Sequence, residues 1–570
     1  MSDPVSVKGL ALTPLPGKTY FSTDREWREE FIYFLLVDRF QDDVVRTVVS
    51  GAGRSAGIGT PDAFFGGTIK GVTRSLDYIA GLGCTAIWLS PVFENNGNAY
   101  HGYDINNYLR IDPRFGTRQD LVDLVAAAHA FTKDGRPFPI RVVLDVVINH
   151  SGDNWFYPGD VPFFYFDDQV FPFGGFRRGD RPVPTELRDD TWYHRRGQIR
   201  DFDHAPENQH GDIVGLKDYA NDDDAIGSSV INTLIAAHCY WIREADIDGF
   251  RVDAVKHMGE LACARFCSNI REYAYGLGKR GFFLFGEVAS PSDEIYNRYI
   301  GQNTSKQDGG STVFFGLNSV LDFRLAEGVF GDDGNAPLRD VLKGFKGPQT
   351  LFNRLEAQRD RALNRGEIGR YLVTFVDNHD SFWQPDGRFA HGASDAQVIG
   401  AIGFLLCSLG TPCLYYGTEQ GLEGHGGDNQ MREALFDRAP GGKSLLNQQS
   451  AMYTAIAAIA EVTRTQEPLR FGRMYYREIS GDGEHFGLPF GTTYTLAFSR
   501  LLYPREILVA YNVSDQTRHD RVIVDSTLHP EPSQMTFLFG GAGTVPVQTS
   551  SSGARFVTLD LAPHQFVILA

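Results

Sequence analysis

The sequence predicts an α/β fold, a (β/α)8 barrel with an irregular domain inserted after its third strand and a C-terminal antiparallel β-sandwich. Three observations predict it. From residue 31 to about 468, apolar runs rich in β-branched and aromatic residues alternate with segments of helical periodicity, as repeated βα units with fully buried parallel strands require. Residues 151–221 break that alternation with a stretch rich in Gly, Pro, Asp and Arg. Beyond residue 468 the pattern becomes short alternating strands spaced by turn residues, the mark of an antiparallel sandwich. A chain of 570 residues also exceeds what one hydrophobic core normally serves, so several domains are expected.

Residues 1–30 are read as an N-terminal extension, and the barrel as residues 31–150 and 222–468. Its eight expected strands are FIYFLLVDRF, CTAIWLSPVF, PIRVVLDVVINH, IDGFRVDAV, FFLFGEV, STVFFGLNSVLDF, YLVTFVDNHD and TPCLYYGTE. Amphipathic stretches such as HMGELACARFCSNIREYA follow most of them. The inserted domain spans 151–221; a loop of that length without periodicity is expected only where it has a function. In the C-terminal domain, 469–570, the expected strands are RMYYREIS, TYTLAFSR, EILVAYNVS, RVIVDS, MTFLFG and RFVTLDL, ending in APHQFVILA.

The composition, 42% apolar and 13% aromatic, is that of a folded globular protein. With 54 basic and 71 acidic residues the net charge is −17, which argues against nucleic acid or an anionic membrane as partner. The six cysteines, Cys84, Cys239, Cys263, Cys267, Cys407 and Cys413, show no CxxC or Cys/His metal spacing and are expected to be buried reduced thiols. The N-terminal segment lacks a basic stretch followed by an apolar one, and no apolar run is expected to span a bilayer. A cytoplasmic location is the resulting expectation, and the oligomeric state is open.

The most informative residues are three acids, Asp253, Glu287 and Asp380, each at or next to the end of a strand-like run. An isolated buried carboxylate is costly. Acids that converge at one mouth can instead shift each other's pKa values and divide nucleophile and acid roles, which is the chemistry of glycosidic bond cleavage. In such barrels the functional groups lie at the C-terminal strand ends. Asp145, Asn149 and His150 end the third strand; Arg251, Asp253, Lys256 and His257 mark the fourth; Asn378, His379 and Asp380 end the seventh. Arg251 lies two residues before Asp253, on the same face of the strand, so its charge is expected to keep Asp253 ionised.

With AIWLSPVFEN and GTPCLYYGTEQG, these motifs resemble the α-amylase superfamily of glycoside hydrolases, TIM-barrel enzymes, over almost the whole chain from residue 31. The resemblance implies Asp253 as nucleophile, Glu287 as general acid and then base, and Asp380 as the group that binds the distorted sugar. It implies that His150 and His379 hydrogen-bond the same sugar, that Tyr103 in YHGYD stacks on its face with His101 assisting, and that Arg251 supports the nucleophile. Lys256 and His257 look like an α-1,4-glucan-binding pair on the leaving-group side. Tyr100 stands where exo-acting α-glucosidases carry an acid, which favours longer substrates. The GTEQG segment is assigned no chemistry.

The resemblance also implies one Ca2+ site, with Asn149, Asp218 in GLKDYAN, and the carbonyl of His257 as ligands; hard oxygen donors suit calcium. A second calcium near VDRFQDD is not expected, because Thr68 stands where an acid is usual. The leading expectation is a retaining α-glucan hydrolase acting on maltooligosaccharides or related α-glucans. An α-glucan transglycosylase is the nearest alternative, although Val288, Ala289 and Ser290 replace the aromatic pair that follows the acid in cyclodextrin-forming relatives. A non-catalytic protein on the same scaffold is the remote one.

Overall fold

A computed structural model describes residues 3–49, 63–165, 169–222, 224–290, 292–300, 316–328, 333–359, 362–363, 366–380, 387–439 and 441–570. The barrel strands are β1 (Ile32–Leu35), β2 (Ala86–Leu89), β3 (Arg141–Val147), β4 (Gly249–Asp253), β5 (Phe283–Gly286), β6 (Ser319–Val320), β7 (Val373–Thr374) and β8 (Thr411–Tyr415). They pair in the order β6-β5-β4-β3-β2-β1-β8-β7, all parallel. A parallel bridge between Leu321 and Val373 joins the two ends of this order, supported by a 2.9 Å hydrogen bond from the Asp322 amide to the Val373 carbonyl. Every residue of β1 to β5 is buried, which is why these runs are continuously apolar rather than alternating. The sixth expected strand is shorter than the run that announced it, and its residues 311–315 lie outside the described ones.

Helices α1 (Arg118–His129), α2 (Ala225–Ala245), α3 (Glu260–Gly276), α4 (Asp395–Cys407) and α5 (Ala451–Thr465) lie between or after these strands. Helix α2 starts where the Asp224 carboxylate accepts the Gly227 amide at 2.7 Å, an N-cap that satisfies one of the helix's unpaired donors. The helix corrects one expectation. By length and composition its 21 residues are apolar enough to cross a bilayer, but the face that makes it so, including Val230, Leu234, Trp241 and Ile242, is buried within the barrel's core cluster.

The inserted domain leaves after β3 and returns beside its own start: Lys217–Asp218 pairs antiparallel with His150–Ser151, Asp218 opposite His150. Its small core is aromatic, with Trp155, Tyr157, Tyr193 and Tyr219 buried. The N-terminal segment closes the opposite end of the barrel, where Trp27 stacks on Phe283 at 4.4 Å and donates to the Gly281 carbonyl at 2.7 Å.

The C-terminal domain is one nine-stranded antiparallel order. Its strands are β9 (Arg473–Tyr476), β10 (Ile479–Ser480), β11 (Thr495–Leu502), β12 (Arg505–Asn512), β13 (Arg518–Ile523), β14 (Gln534–Phe539), β15 (Thr544–Thr549), β16 (Arg555–Leu561) and β17 (Phe566–Leu569). Strand β15 was not anticipated, because its TVPVQT sequence carries a proline and few apolar residues, features that demote a run. In β12, Leu508 and Ala510 face the domain's own core while Ile507, Val509 and Tyr511 join the barrel's. The period-2 alternation of a strand thus docks the domain on the barrel through one face.

Candidate active site

The site follows from strand register. Arg251 on β4 lies opposite Asp145 on β3, so two oppositely charged side chains meet inside the barrel. Arg251 Nη1 donates to Asp145 Oδ1 at 3.0 Å and to Asp253 Oδ1 at 2.5 Å, and Nη2 lies 3.0 Å from Glu287 Oε2. One buried guanidinium therefore serves three carboxyl groups, with a planar fork that a lysine could not reproduce. Asp253 and Glu287, 34 positions apart in the chain, thus meet on one guanidinium.

The local backbone makes this possible. A Cβ on Gly286 would fall 2.4 Å from Leu317 Cδ1 and 2.9 Å from Val255 Cγ2, so any larger residue there would have to displace these side chains beside Glu287. Ala254, just after Asp253, is left-handed at φ 51°, ψ 33°. Such a conformation costs a non-glycine residue about 1–3 kcal/mol, and it aims the Ala254 amide at Glu287 Oε2, 3.0 Å away.

Protonation follows from the same contacts. Burial, and then the charges of Glu287 and Asp145, raise Asp253 well above the carboxylate range against the pull of Arg251. Burial also disfavours the Glu287 anion, but Arg251, the Ala254 amide and the hydrogen bond from Asp253 outweigh it and hold Glu287 low. With Asp253 raised and Glu287 lowered, the expectation that Arg251 favours the anion of Asp253 over that of Glu287 is not met. The reason is that Arg251 reaches both acids rather than Asp253 alone.

Asp380 closes the other side. Arg432 Nη2 donates to its Oδ1 at 2.7 Å, and His379 Nε2 lies 3.1 Å from its Oδ2. Burial pushes Asp380 up to about 7, with Arg432 opposing and Glu287 and Asp428 adding to the rise. The Tyr103 hydroxyl donates to Asp145 Oδ2 at 2.8 Å and contacts His379 Nε2 at 2.8 Å. A continuous polar chain thus runs from Asp253 through Arg251, Asp145, Tyr103 and His379 to Asp380. The Tyr103 ring is nearly parallel to those of His101 and His379, at 5.7 and 5.5 Å, and a small cavity lined by Glu327, Asn378, Asp380 and Met431 lies alongside. Burial lowers His101 and His150 to about 3 and holds His379 well below its ordinary value. All three imidazoles are therefore neutral hydrogen-bonding groups near pH 7. Among the described residues, His150 Nε2 and His379 Nδ1 are buried without a partner.

These shifts set a pH dependence. Asp380 titrates at about 7 in the folded protein and Glu327, pushed up chiefly by burial and then by Asp380, at about 8, against about 4 unfolded. A raised carboxyl contributes stability that is complete below its unfolded pKa and lost as pH rises through its folded one. The melting temperature of the protein is thus expected to fall between about pH 4 and pH 8, and Asp380→Asn to flatten part of that slope; an unchanged slope contradicts the assignment.

Lys256 and His257 are tied to the inserted domain. Lys256 Nζ donates to Asp203 Oδ1 at 2.5 Å and to the Ala289 carbonyl at 2.9 Å, and His257 Nδ1 contacts the Asn208 carbonyl at 2.7 Å. Of the expected calcium ligands, Asn149 and Asp218 come together: Asn149 Nδ2 donates to Asp218 Oδ1 at 3.2 Å, while Asn149 Oδ1 is buried with no partner among the described residues. An orphaned buried amide oxygen beside a carboxylate fits a hard cation. Among the described residues no hydrogen bond joins His257 to either.

Sequence reasoning left Asp145, Arg432, Trp88 and Glu327 without a role. Trp88 donates to Asp145 Oδ2 at 3.1 Å. The pairing of Arg251 with Asp145 could have been found only by fixing the β3–β4 register, and Arg432 sits in a loop without periodicity. The GTEQG segment is structural as read: buried Glu419 accepts the Tyr33 and Tyr78 hydroxyls at 2.7 and 2.6 Å.

The sequence matches the α-amylase catalytic domain over residues 34–452. That match covers most of the chain. The protein belongs to the α-amylase family. An α-amylase of Streptomyces lividans is 28% identical over 509 residues, covering 76% of this chain and 51% of that protein. A cyclomaltodextrin glucanotransferase of Klebsiella oxytoca is 26% identical over 437 residues, covering 71% of this chain and 59% of that protein. The chain thus spans between half and three fifths of these two relatives. The crystal structure of the Geobacillus thermoleovorans α-amylase complexed with acarbose superimposes with a TM-score of 0.68 at 24% identity, covering 96% of this chain and 99% of that one. Members of this family commonly bind calcium.

Proposed function

We propose that this α-amylase-family enzyme is a retaining hydrolase of α-1,4-glucosidic bonds in maltooligosaccharides or related α-glucans. The observation that carries the reading is the contact of Asp253 with Glu287 on one guanidinium, since retention needs carboxyls only about 5 Å apart. Asp253 attacks the anomeric carbon as an anion while Glu287 protonates the departing oxygen, so Glu287 carries the proton when substrate is bound. Glu287, left as an anion, then deprotonates the water that releases the sugar from Asp253. Asp380 faces the ring as an anion and stabilises the positive charge that develops there. Tyr103 supplies the stacking face, and His101, His150 and His379 supply neutral hydrogen bonds to hydroxyls. Lys256 and His257, where the inserted domain meets the barrel, border the leaving-group side.

Transfer to a sugar instead of water is the second reading, because glucanotransferases stand among the relatives. Val288, Ala289 and Ser290 offer no ring after the acid to hold a sugar acceptor, which supports water. Chromatography of a maltotetraose digest decides between them: products no longer than the donor are expected, and longer ones from the earliest time points mean transfer.

Calcium belongs to the same reading. Asn149 and Asp218 would hold it through oxygen donors, fixing the base of the inserted domain. Chelation with EGTA is expected to lower the melting temperature and its reversal by added calcium to require Asp218; a melting curve indifferent to both contradicts the site. The six cysteines are unpaired and buried, which supports a reducing, cytoplasmic setting; activity confined to an extracellular fraction would contradict it.

A further inference from the structure

Beside the barrel rim lies a cluster that no part of this chemistry uses. His194 of the inserted domain, His210 at the end of the turn Glu207–His210 and Asp222 just before α2 converge there. Asp222 Oδ2 is 2.9 Å from His194 Nε2 and Asp222 Oδ1 is 3.4 Å from His210 Nε2. The two imidazole rings lie 4.4 Å apart, tilted by 36°, and one ligand atom from each residue falls within a 4.8 Å span. Metal bonds of about 2 Å to nitrogen and oxygen would draw these atoms together with small side-chain rotations.

A second observation points the same way. The other nitrogen of His194, Nδ1, is 2.5 Å from Asp218 Oδ2, and that carboxylate is 1% exposed. A carboxylate on one imidazole nitrogen fixes the ring and its tautomer so that the other nitrogen faces a metal. Asp222 is 49% exposed at its side chain, which leaves an entry path and room for a water ligand.

We propose that His194, His210 and Asp222 form a site for one divalent ion of the zinc class, with water in the fourth position. Two imidazoles and one carboxylate suit zinc, cobalt or nickel, whereas calcium requires oxygen donors. The site is separate from the calcium position, since Asp218 turns one oxygen to Asn149 and the other to His194. The bound ion pins the turn that ends at His210 to the edge of α2. That same segment, residues 203–210, supplies the Asp203 and Asn208 partners of Lys256 and His257, so the ion steadies the leaving-group side without touching substrate.

The test titrates zinc into the untagged full chain, stripped with chelator and kept in saturating calcium. Calorimetry is expected to show one zinc per chain, and cobalt to give the visible absorption of a tetrahedral ion. His210→Ala and Asp222→Asn are each expected to weaken zinc binding at least about tenfold, and both leave the proposed catalytic groups in place. Circular dichroism of the stripped proteins verifies folding, and Asp222→Asn, nearly isosteric, answers the question if His210→Ala does not fold. No zinc uptake by the wild type, or uptake unchanged in the folded variants, overturns the proposal. Because binding is read directly, that result is independent of whether the enzyme hydrolyses or transfers glucan.

Discussion

Asp253→Asn and Glu287→Gln are each expected to lower kcat on maltooligosaccharides by about 10⁴-fold or more, the scale on which removal of one member of a catalytic set acts. The two losses differ in kind. An α-maltosyl fluoride has a leaving group that needs no proton, so Glu287→Gln is expected to regain the first step on that substrate, whereas Asp253→Asn, which lacks the attacking oxygen, is not. The contrast follows from the geometry: both acids contact Arg251, but only Asp253 ends the strand that carries it. Normal turnover by either variant on natural substrate would contradict the proposed roles. So would equal rescue of both by the fluoride.

Arg251→Met is expected to cost both stability and activity. Arg251 is buried against Asp145, Asp253 and Glu287, and removing one partner of a buried ion pair typically costs about 3–5 kcal/mol because the remaining charges lose their counter-ion. The three acids then take up protons, and activity near pH 7 is expected to fall on the order of 10³-fold, as for loss of a preorganised electrostatic contact. Arg251→Lys restores the charge but not the fork, so it is expected to recover part of the stability and little of the activity. Denaturation curves and kcat/KM for both variants check this; an Arg251→Met protein of wild-type stability contradicts the account of the buried cluster.

Much of this architecture could be read in the sequence. Strands β1 to β5 and β8 announced themselves because parallel strands buried on both faces are continuously apolar, and the three acids stood out against that background. The short strands β6 and β7 were harder, since two paired residues carry little pattern. Strand β15 escaped because Pro546 and exposed polar residues disguise it. The opposed shifts of Asp253 and Glu287 escaped for another reason: they depend on which nitrogens of Arg251 reach which acids, and on an amide aimed by the left-handed Ala254. No linear spacing contains that information. The cluster of His194, His210 and Asp222 likewise joins residues that lack any metal-ligand spacing, brought together only by the return of the inserted domain to the barrel.

The most direct measurement is the mass of the enzyme after reaction with a fluorinated glucosyl or maltosyl fluoride that slows breakdown of a covalent sugar. The account predicts one sugar adduct per chain, located by peptide mapping on Asp253 and absent from Asp253→Asn. An adduct on another residue, or release of product with inverted anomeric configuration and no adduct, would contradict it.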